Sequence, residues 1–178
     1  QASIDKVKAA DVIVFAGGIS PSLEGEEMPV NAEGFKGGDR TTIELPAMQR
    51  RLISELKKLG KPIIFVNYSG SAVGLEPESK ICDAILQAWY PGQAGGTAVA
   101  DVLFGDYNPS GKLPVTFYKH TDQLPDFQDY SMKGRTYRYM AESPLYSFGH
   151  GLSYTNFTYG PATLSQQTIS QGKEVILT

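Results

Sequence analysis

The sequence predicts an α/β fold with a largely parallel sheet, and three observations carry that expectation. Two continuous apolar runs, "DVIVFA" (11–16) and "PIIFV" (62–66), each give way to turn residues. That is the pattern of strands covered on both faces. Between them "LPAMQRRLISELKKLGKP" (45–62) repeats its apolar residues at helical spacing. A second helical pattern, "QAGGTAVADVLFGD" (93–106), follows a third apolar run. Strands that alternate with helices imply crossover connections, and so a parallel sheet.

The elements follow in order. "SIDKVKAA" carries apolar residues at 4, 7 and 10 and reads as a short amphipathic helix. "DVIVFAGG" is the first strand. An irregular stretch is expected from Gly17 to about Leu45, longer than the ~12–15 residues usual for a loop without a function. The helix after it has Pro46 near its first turn and Gly60 at its stop. Met48, Leu52, Leu56 and Leu59 are read as its buried face. "KPIIFVNYSG" is the second strand and "CDAILQAWYPG" the third, its apolar run ending in an aromatic pair before Pro91-Gly92. The last helix is apolar at Val99, Val102 and Leu103 and is closed by Gly105. Beyond Pro109 the text becomes rich in Pro, Gly and Tyr, so an irregular C-terminal part is expected, packed against the domain without a second core.

The composition excludes several function classes. With 178 residues, 41% of them hydrophobic and 20% charged, the chain suffices for one well-buried core. A net charge of −3 without a basic stripe argues against nucleic acid. No run approaches the ~18–20 apolar residues of a membrane helix, and the first residues carry no signal-peptide pattern. The single Cys82 has no disulfide partner and sits in a half-buried pattern, which suits a structural thiol. His120 and His150 are isolated, so no metal and no cofactor are expected. The chain opens at "QASIDKVKAA" without Met and stops at the strand-like "EVILT", so a piece of a longer polypeptide is expected.

Chemistry concentrates in "GGISPSLEGEE" (17–27), where Glu24, Glu26 and Glu27 follow the first strand within four positions. In open α/β sheets ligands meet the loops beyond the carboxyl ends of the strands. Crowded or partly buried carboxyls favour the protonated form, which a general acid requires. A solvated acidic loop is the simpler reading of the spacing alone. Asp39 beside Arg40 offers a guanidinium that could pin the long loop to the domain body or, less simply, touch a substrate. "PGQAGGTA" (91–98) invites a nucleotide-phosphate reading, but it has neither the dinucleotide nor the P-loop spacing. Close helix–sheet packing explains its glycines more simply. The tyrosines between Tyr130 and Tyr159 suit either a sugar-stacking surface or the packing of an irregular tail. A non-catalytic carbohydrate-binding or structural α/β module stands as the alternative to an enzyme.

Four motifs, taken together and in order, resemble the glycoside hydrolase family 3 β-glycosidases. They are "LEGEE…GGDRTTIELPAMQ", "DAILQAWYPGQAGGTAVADVLFGDYNPSGKLPVTFY", "QLPDFQDYSMKGRTYRY" and "PLYSFGHGLSYTNFTY", and they span roughly Asp11 to Tyr159. The resemblance is to the second domain of that family, a layered α/β sandwich that follows a barrel. It implies a domain over 1–160, incomplete at its N-terminal side. It also implies a linker and the start of a fibronectin-III-like domain over 161–178.

The resemblance further implies a retaining, exo-acting β-glycosidase that releases terminal β-xylosyl or β-glucosyl residues from plant oligosaccharides. The motif places the acid/base carboxyl at Glu24, with the nucleophile in the barrel domain of the same polypeptide. Glu26 and Glu27 become neighbours that tune the acid or keep the loop wet. The implied partners are an oligosaccharide substrate and that barrel, in a periplasmic or extracellular location. Text of this kind is closest to the β-xylosidase branch, although β-glucosidases share much of it. A domain carrying the acid without its nucleophile is expected to be catalytically silent alone.

Overall fold

The computed structural model describes residues 2–25 and 27–178. Its centre is a three-stranded parallel sheet of β1 (Ile13–Gly18), β4 (Ile63–Tyr68) and β5 (Ala84–Gln87), in the order β1-β4-β5. Ile13 pairs with Ile63 and Ile64 with Ala84, so the strands leave the sheet at the same end. The α/β class and the parallel sheet are as expected, and the irregular C-terminal part is present.

One face of the sheet holds the core. The odd-numbered side chains Ile13, Phe15, Ile63 and Phe65 meet Ile53 and Leu56 of α3 (Ala47–Lys57), and Ile4 and Val7 of α1 (Ala2–Val7) close one end. Burial of side chains of this size contributes roughly 1.5–3 kcal/mol each. The expected cover on both faces of β1 is not found. Val14, and Val12 just before the strand, are 51% and 46% exposed, so the described residues leave that side of β1 open.

The buried face of α3 also differs from expectation. Met48 is exposed and Leu52 partly so, whereas Gln49, Ile53 and Leu56 point inward. These inward positions fall at i, i+4 and i+7, an equally helical spacing that begins on a polar residue. Arg50 lies beside them and reaches the fully buried Glu78 of α4 (Glu76–Ile81), a helix between β4 and β5 that the sequence reading lacked. Its Nε and Nη2 donate to the two carboxylate oxygens at 2.8 and 3.2 Å, and Nη2 also donates to the Gly74 carbonyl at 2.9 Å. A carboxylate removed from water is tolerated only when its oxygens are satisfied in this way.

The stretch expected to be irregular contains short regular pieces. A one-turn helix, α2 (Pro21–Glu24), follows β1, and a hairpin of β2 (Phe35–Lys36) and β3 (Asp39–Arg40) follows that. The hairpin turns on Gly37 and Gly38, both with positive φ, as a tight two-residue turn demands. Gly38 also lies against the Glu24 loop: a Cβ there would stand 2.6 Å from the Glu27 nitrogen and 2.9 Å from the Gly25 carbonyl.

After β5, α5 (Gly95–Phe104) forms where expected and is closed by Gly105. The expected close packing of the 91–98 glycines on the sheet is not found: a Cβ at Gly95 would meet the Pro91 ring, and one at Gly92 or Gly96 would meet nothing within 4 Å. The irregular part that follows is anchored by Phe117. This ring is buried, pairs its backbone with Tyr146 and meets the Trp89 ring edge-on at 6.0 Å. It includes two further helical turns, a 3-10 turn at Thr121–Gln123 and α6 (Thr136–Tyr139). No helix among the described residues is long and apolar enough to cross a membrane.

Candidate active site

The site lies beyond the carboxyl ends of β1 and β5. Strand β1 is fixed to its last residue. Gly18 donates to Gln49 Oε1 and accepts from Gln49 Nε2, each at 2.7 Å, and the Ile19 nitrogen then donates to the Tyr68 carbonyl at 2.7 Å. Ser20 caps the turn of α2 by accepting from the Leu23 nitrogen at 3.2 Å, and Pro21 supplies the fixed φ that suits a first helical position. Gly25 ends the turn in the left-handed region, where its N–H donates to the Pro21 carbonyl. Glu24 is therefore the last residue of a tightly bounded turn, half-buried, and not part of a loose acidic loop.

The phenol of Tyr90, in the segment after β5, lies 2.9 Å from Glu24 Oε2 and 2.9 Å from the Ile19 carbonyl. Burial raises the Tyr90 pKa above its ordinary value, and the hydrogen bond and negative charge of Glu24 add to the rise. The phenol thus keeps its proton near neutral pH, and that one proton serves two acceptors, the Glu24 carboxylate and the Ile19 carbonyl. Trp89, immediately before it, has a positive φ of 55°, an uncommon conformation for a bulky residue. Its edge contact with Phe117 accompanies that conformation. Among the described residues, Oε2 carries the hydrogen bond given for this carboxyl.

Arg40 completes the constellation. Its Nη1 donates to Ser71 Oγ and the Ala72 carbonyl, and Nη2 to the Glu44 carbonyl, all at 3.2 Å. The guanidinium therefore pins the hairpin to the domain body, the simpler of its two expected roles. Burial lowers its pKa, and the negative charges of Glu24 and Glu44 oppose that change. Asp39 is exposed on the hairpin. Glu44 accepts from Thr121 nitrogen and hydroxyl at 2.7 and 2.6 Å, tying the C-terminal part to the same region.

Of the three acidic residues named from the sequence, Glu24 enters the site and Glu27 is exposed at a positive φ of 54°. Glu26 lies outside the described residues. Cys82 is half-buried under the sheet and its thiol is pushed up to about 11 by burial first and by Glu78 second, as a structural thiol requires. His150 stacks on Tyr146 at 4.7 Å, and His120 precedes the Thr121 turn. Neither meets Glu24. Among the described residues no group of three or more His, Cys, Asp or Glu could hold a metal. Most of the late tyrosines are exposed, Tyr130 and Tyr159 almost fully. Tyr90 and Gln49 were not singled out from the sequence. The signal for Tyr90 was its place after the third strand, the same criterion that singled out Glu24.

Residues 1–154 match the sequence profile of the glycosyl hydrolase family 3 C-terminal domain. The chain belongs to this family. It is 64% identical to a xylan 1,4-beta-xylosidase of Xylanibacter ruminicola over 94% of its own length and 19% of that protein. It is 41% identical to a periplasmic beta-glucosidase of Salmonella typhimurium, over 98% of this chain and 24% of that one. Among solved structures, a b-glucosidase from Erythrobacter marinus aligns with a TM-score of 0.77 at 37% identity, covering 99% of this chain and 23% of the other. A family 3 exo-beta-xylosidase, solved with a xylobiose aziridine probe, aligns at 0.72 and 32%, covering 94% and 21%. The chain thus spans about a fifth to a quarter of the length of these relatives.

Proposed function

We propose that this chain is the acid/base-bearing domain of a retaining, exo-acting β-glycosidase that releases terminal β-xylosyl or β-glucosyl residues. The observation that carries the reading is the placement of Glu24. Its carboxyl stands at the carboxyl end of β1, oriented by Tyr90 and near the Arg40 charge. A retaining mechanism needs two carboxyl groups about 5–5.5 Å apart. The nucleophile belongs, on this reading, to a barrel domain of the same polypeptide. It attacks the anomeric carbon while the glycosidic C–O bond breaks, and Glu24 passes its proton to the departing oxygen. Glu24 then takes a proton from water as that water attacks the anomeric carbon and the ester bond to the nucleophile breaks.

Xylose is the favoured terminal sugar, because the relative at 64% identity is named a xylosidase and the one at 41% a glucosidase. A periplasmic or extracellular location is proposed by analogy, the Salmonella relative being a periplasmic beta-glucosidase. The segment 161–178 is proposed as a linker and the start of a fibronectin-III-like domain. Its residues Leu164 and Leu177 form an antiparallel bridge, as a first strand pairing would.

The test uses the full-length protein with Glu24, Glu26 and Glu27 replaced singly by Ala, assayed on aryl β-xylosides of good and poor leaving group. Glu24→Ala alone should lower turnover of the poor leaving group by about 10²–10⁴-fold and largely spare glycosylation by the good one. Full activity in Glu24→Ala would remove the assignment. The isolated chain should show no turnover, and a measurable rate from it would place the nucleophile within these residues.

A further inference from the structure

The turn that follows β4, from Ser69 to Ala72, touches both Tyr90 and Arg40. Gly70 stands directly against the Tyr90 ring: a Cβ there would come within 2.5 Å of Tyr90 Cε2, 3.1 Å of Cζ and 3.2 Å of Cδ2. The Gly70 backbone is not in the left-handed region, so the chain conformation does not call for glycine here. The approach of the ring does. The next two residues take the guanidinium, since Arg40 Nη1 donates to Ser71 Oγ and to the Ala72 carbonyl.

A cluster of buried polar side chains holds this turn in place. Asn67 and Ser69 are fully buried. Asn67 Nδ2 donates to Gln87 Oε1 at 2.6 Å and to Ser69 Oγ at 3.3 Å, and Gln87 Nε2 donates to the same hydroxyl at 3.0 Å. Ser69 Oγ in turn donates to the Ser71 carbonyl at 2.8 Å. Asn67 and Gln87 are partners across the β4–β5 ladder, and the Ala88 nitrogen donates to the Asn67 carbonyl at 2.9 Å. The cluster therefore fixes the turn after β4 together with the start of the segment that carries Tyr90. Such bonds are stronger away from water than at the surface.

We propose that Gly70 is a positioning residue for Glu24: its missing side chain seats the Tyr90 ring, and the buried Asn67–Ser69–Gln87 cluster fixes the height of that seat. The inference rests on the proposed role of Glu24. Carbon atoms pack at about 3.5–4.0 Å, so an added methyl displaces the ring by roughly 1 Å. The 2.9 Å hydrogen bond from the phenol to Glu24 does not survive a shift of that size. Tyr90 is 41% exposed, so the ring has room to swing outward and the fold itself need not yield.

The experiment uses the full-length protein and compares Gly70→Ala, Tyr90→Ala and the double variant on aryl β-xylosides of good and poor leaving group. Ser69→Ala is a second route, which loosens the seat without adding an atom and decides the matter if Gly70→Ala does not fold. The thermal midpoint verifies folding. Gly70→Ala should lower kcat/KM on the poor leaving group by about ten- to a hundredfold and leave the good one within about twofold. Ser69→Ala should show the same split with a smaller loss. Tyr90→Ala has no ring to displace, so adding Gly70→Ala to it should change kcat/KM by less than about twofold. A merely structural role predicts a loss shared by both leaving groups and additive with Tyr90→Ala. Either result overturns the inference, as does parent-like turnover in a folded Gly70→Ala or, failing that variant, in Ser69→Ala. Failure of the Glu24 reading is distinguishable, because Glu24→Ala then keeps full activity. Failure of this inference alone leaves Glu24→Ala impaired and Gly70→Ala like the parent.

Discussion

The Tyr90 phenol and the Glu24 carboxylate meet at 2.9 Å although 66 positions separate them in the chain. The contact joins the turn after β1 to the segment after β5, across the carboxyl end of the sheet. A phenol donor fixes one carboxyl oxygen. A charge-assisted hydrogen bond of this type is worth about 1.5–3 kcal/mol. In the full-length protein, Tyr90→Phe should reduce kcat on poor leaving groups by about ten- to a hundredfold, with KM little changed. Steady-state kinetics on paired aryl glycosides checks it, and an unaltered kcat would assign Tyr90 a packing role only.

Replacement of Gly38 should disturb the same site from behind. Its left-handed backbone disfavours a side chain, and a Cβ would press on the Glu27 nitrogen and the Gly25 carbonyl. Gly38→Ala is expected to lose about 1–2 kcal/mol in urea unfolding, and Gly37→Ala less, since a Cβ at Gly37 meets nothing within 4 Å. Equal losses at the two positions would show that the contact with the Glu24 loop is not what matters.

Arg50 and Glu78 are a pair whose removal is asymmetric. Arg50→Ala leaves a fully buried carboxylate without its partner and should cost about 3–5 kcal/mol. The double change Arg50→Met with Glu78→Leu should recover most of that loss. A chemical-denaturation cycle over the single and double variants measures the difference.

Acid sensitivity should have a contribution from Glu44. Burial works to raise its pKa, but the hydrogen bonds from Thr121, the Glu44 backbone and the Arg50 charge together hold it below its ordinary 4.5. A depressed carboxylate stabilises the fold fully above the unfolded value and loses that contribution as pH falls through the folded value. Stability followed downward from pH 6 should therefore fall less steeply below about 4.5 in Glu44→Gln than in the parent. Parallel curves would exclude the linkage.

Cys82 gives a probe of integrity. With its thiol raised to about 11, little thiolate exists near neutral pH, so alkylation by iodoacetamide at pH 7.5 should be far slower in the folded chain than in denaturant. Comparable rates would mean that the sheet near Cys82 opens readily.

The sheet was legible in the sequence because its strands are continuous apolar runs, which survive any choice of register. The buried face of α3 was not. Its inward positions begin at Gln49, whose amide serves a backbone, and pass by Arg50, whose charge serves Glu78, so hydrophobicity alone selected Met48 and Leu52 instead. Glu24 was legible through its motif and its place after a strand. Tyr90 was not, because its role depends on a contact between two loops that only the parallel pairing of β1, β4 and β5 brings together. The exposed outer side of β1 escaped the reading for a related reason: an apolar run marks what a strand prefers to meet, not what this chain supplies.

Strand β1 lies at the border of its sheet, where outward backbone groups invite any passing strand to extend the ladder. At Gly18 that invitation is already taken: the Gln49 amide occupies both the donor and the acceptor, imitating with a side chain the peptide of a neighbour. A segment adding itself along β1 must therefore stop short of the turn that holds Glu24. The turn that ends on Glu24 is insulated from strand addition, and the sheet can be lengthened sideways without redirecting the carboxyl at its tip.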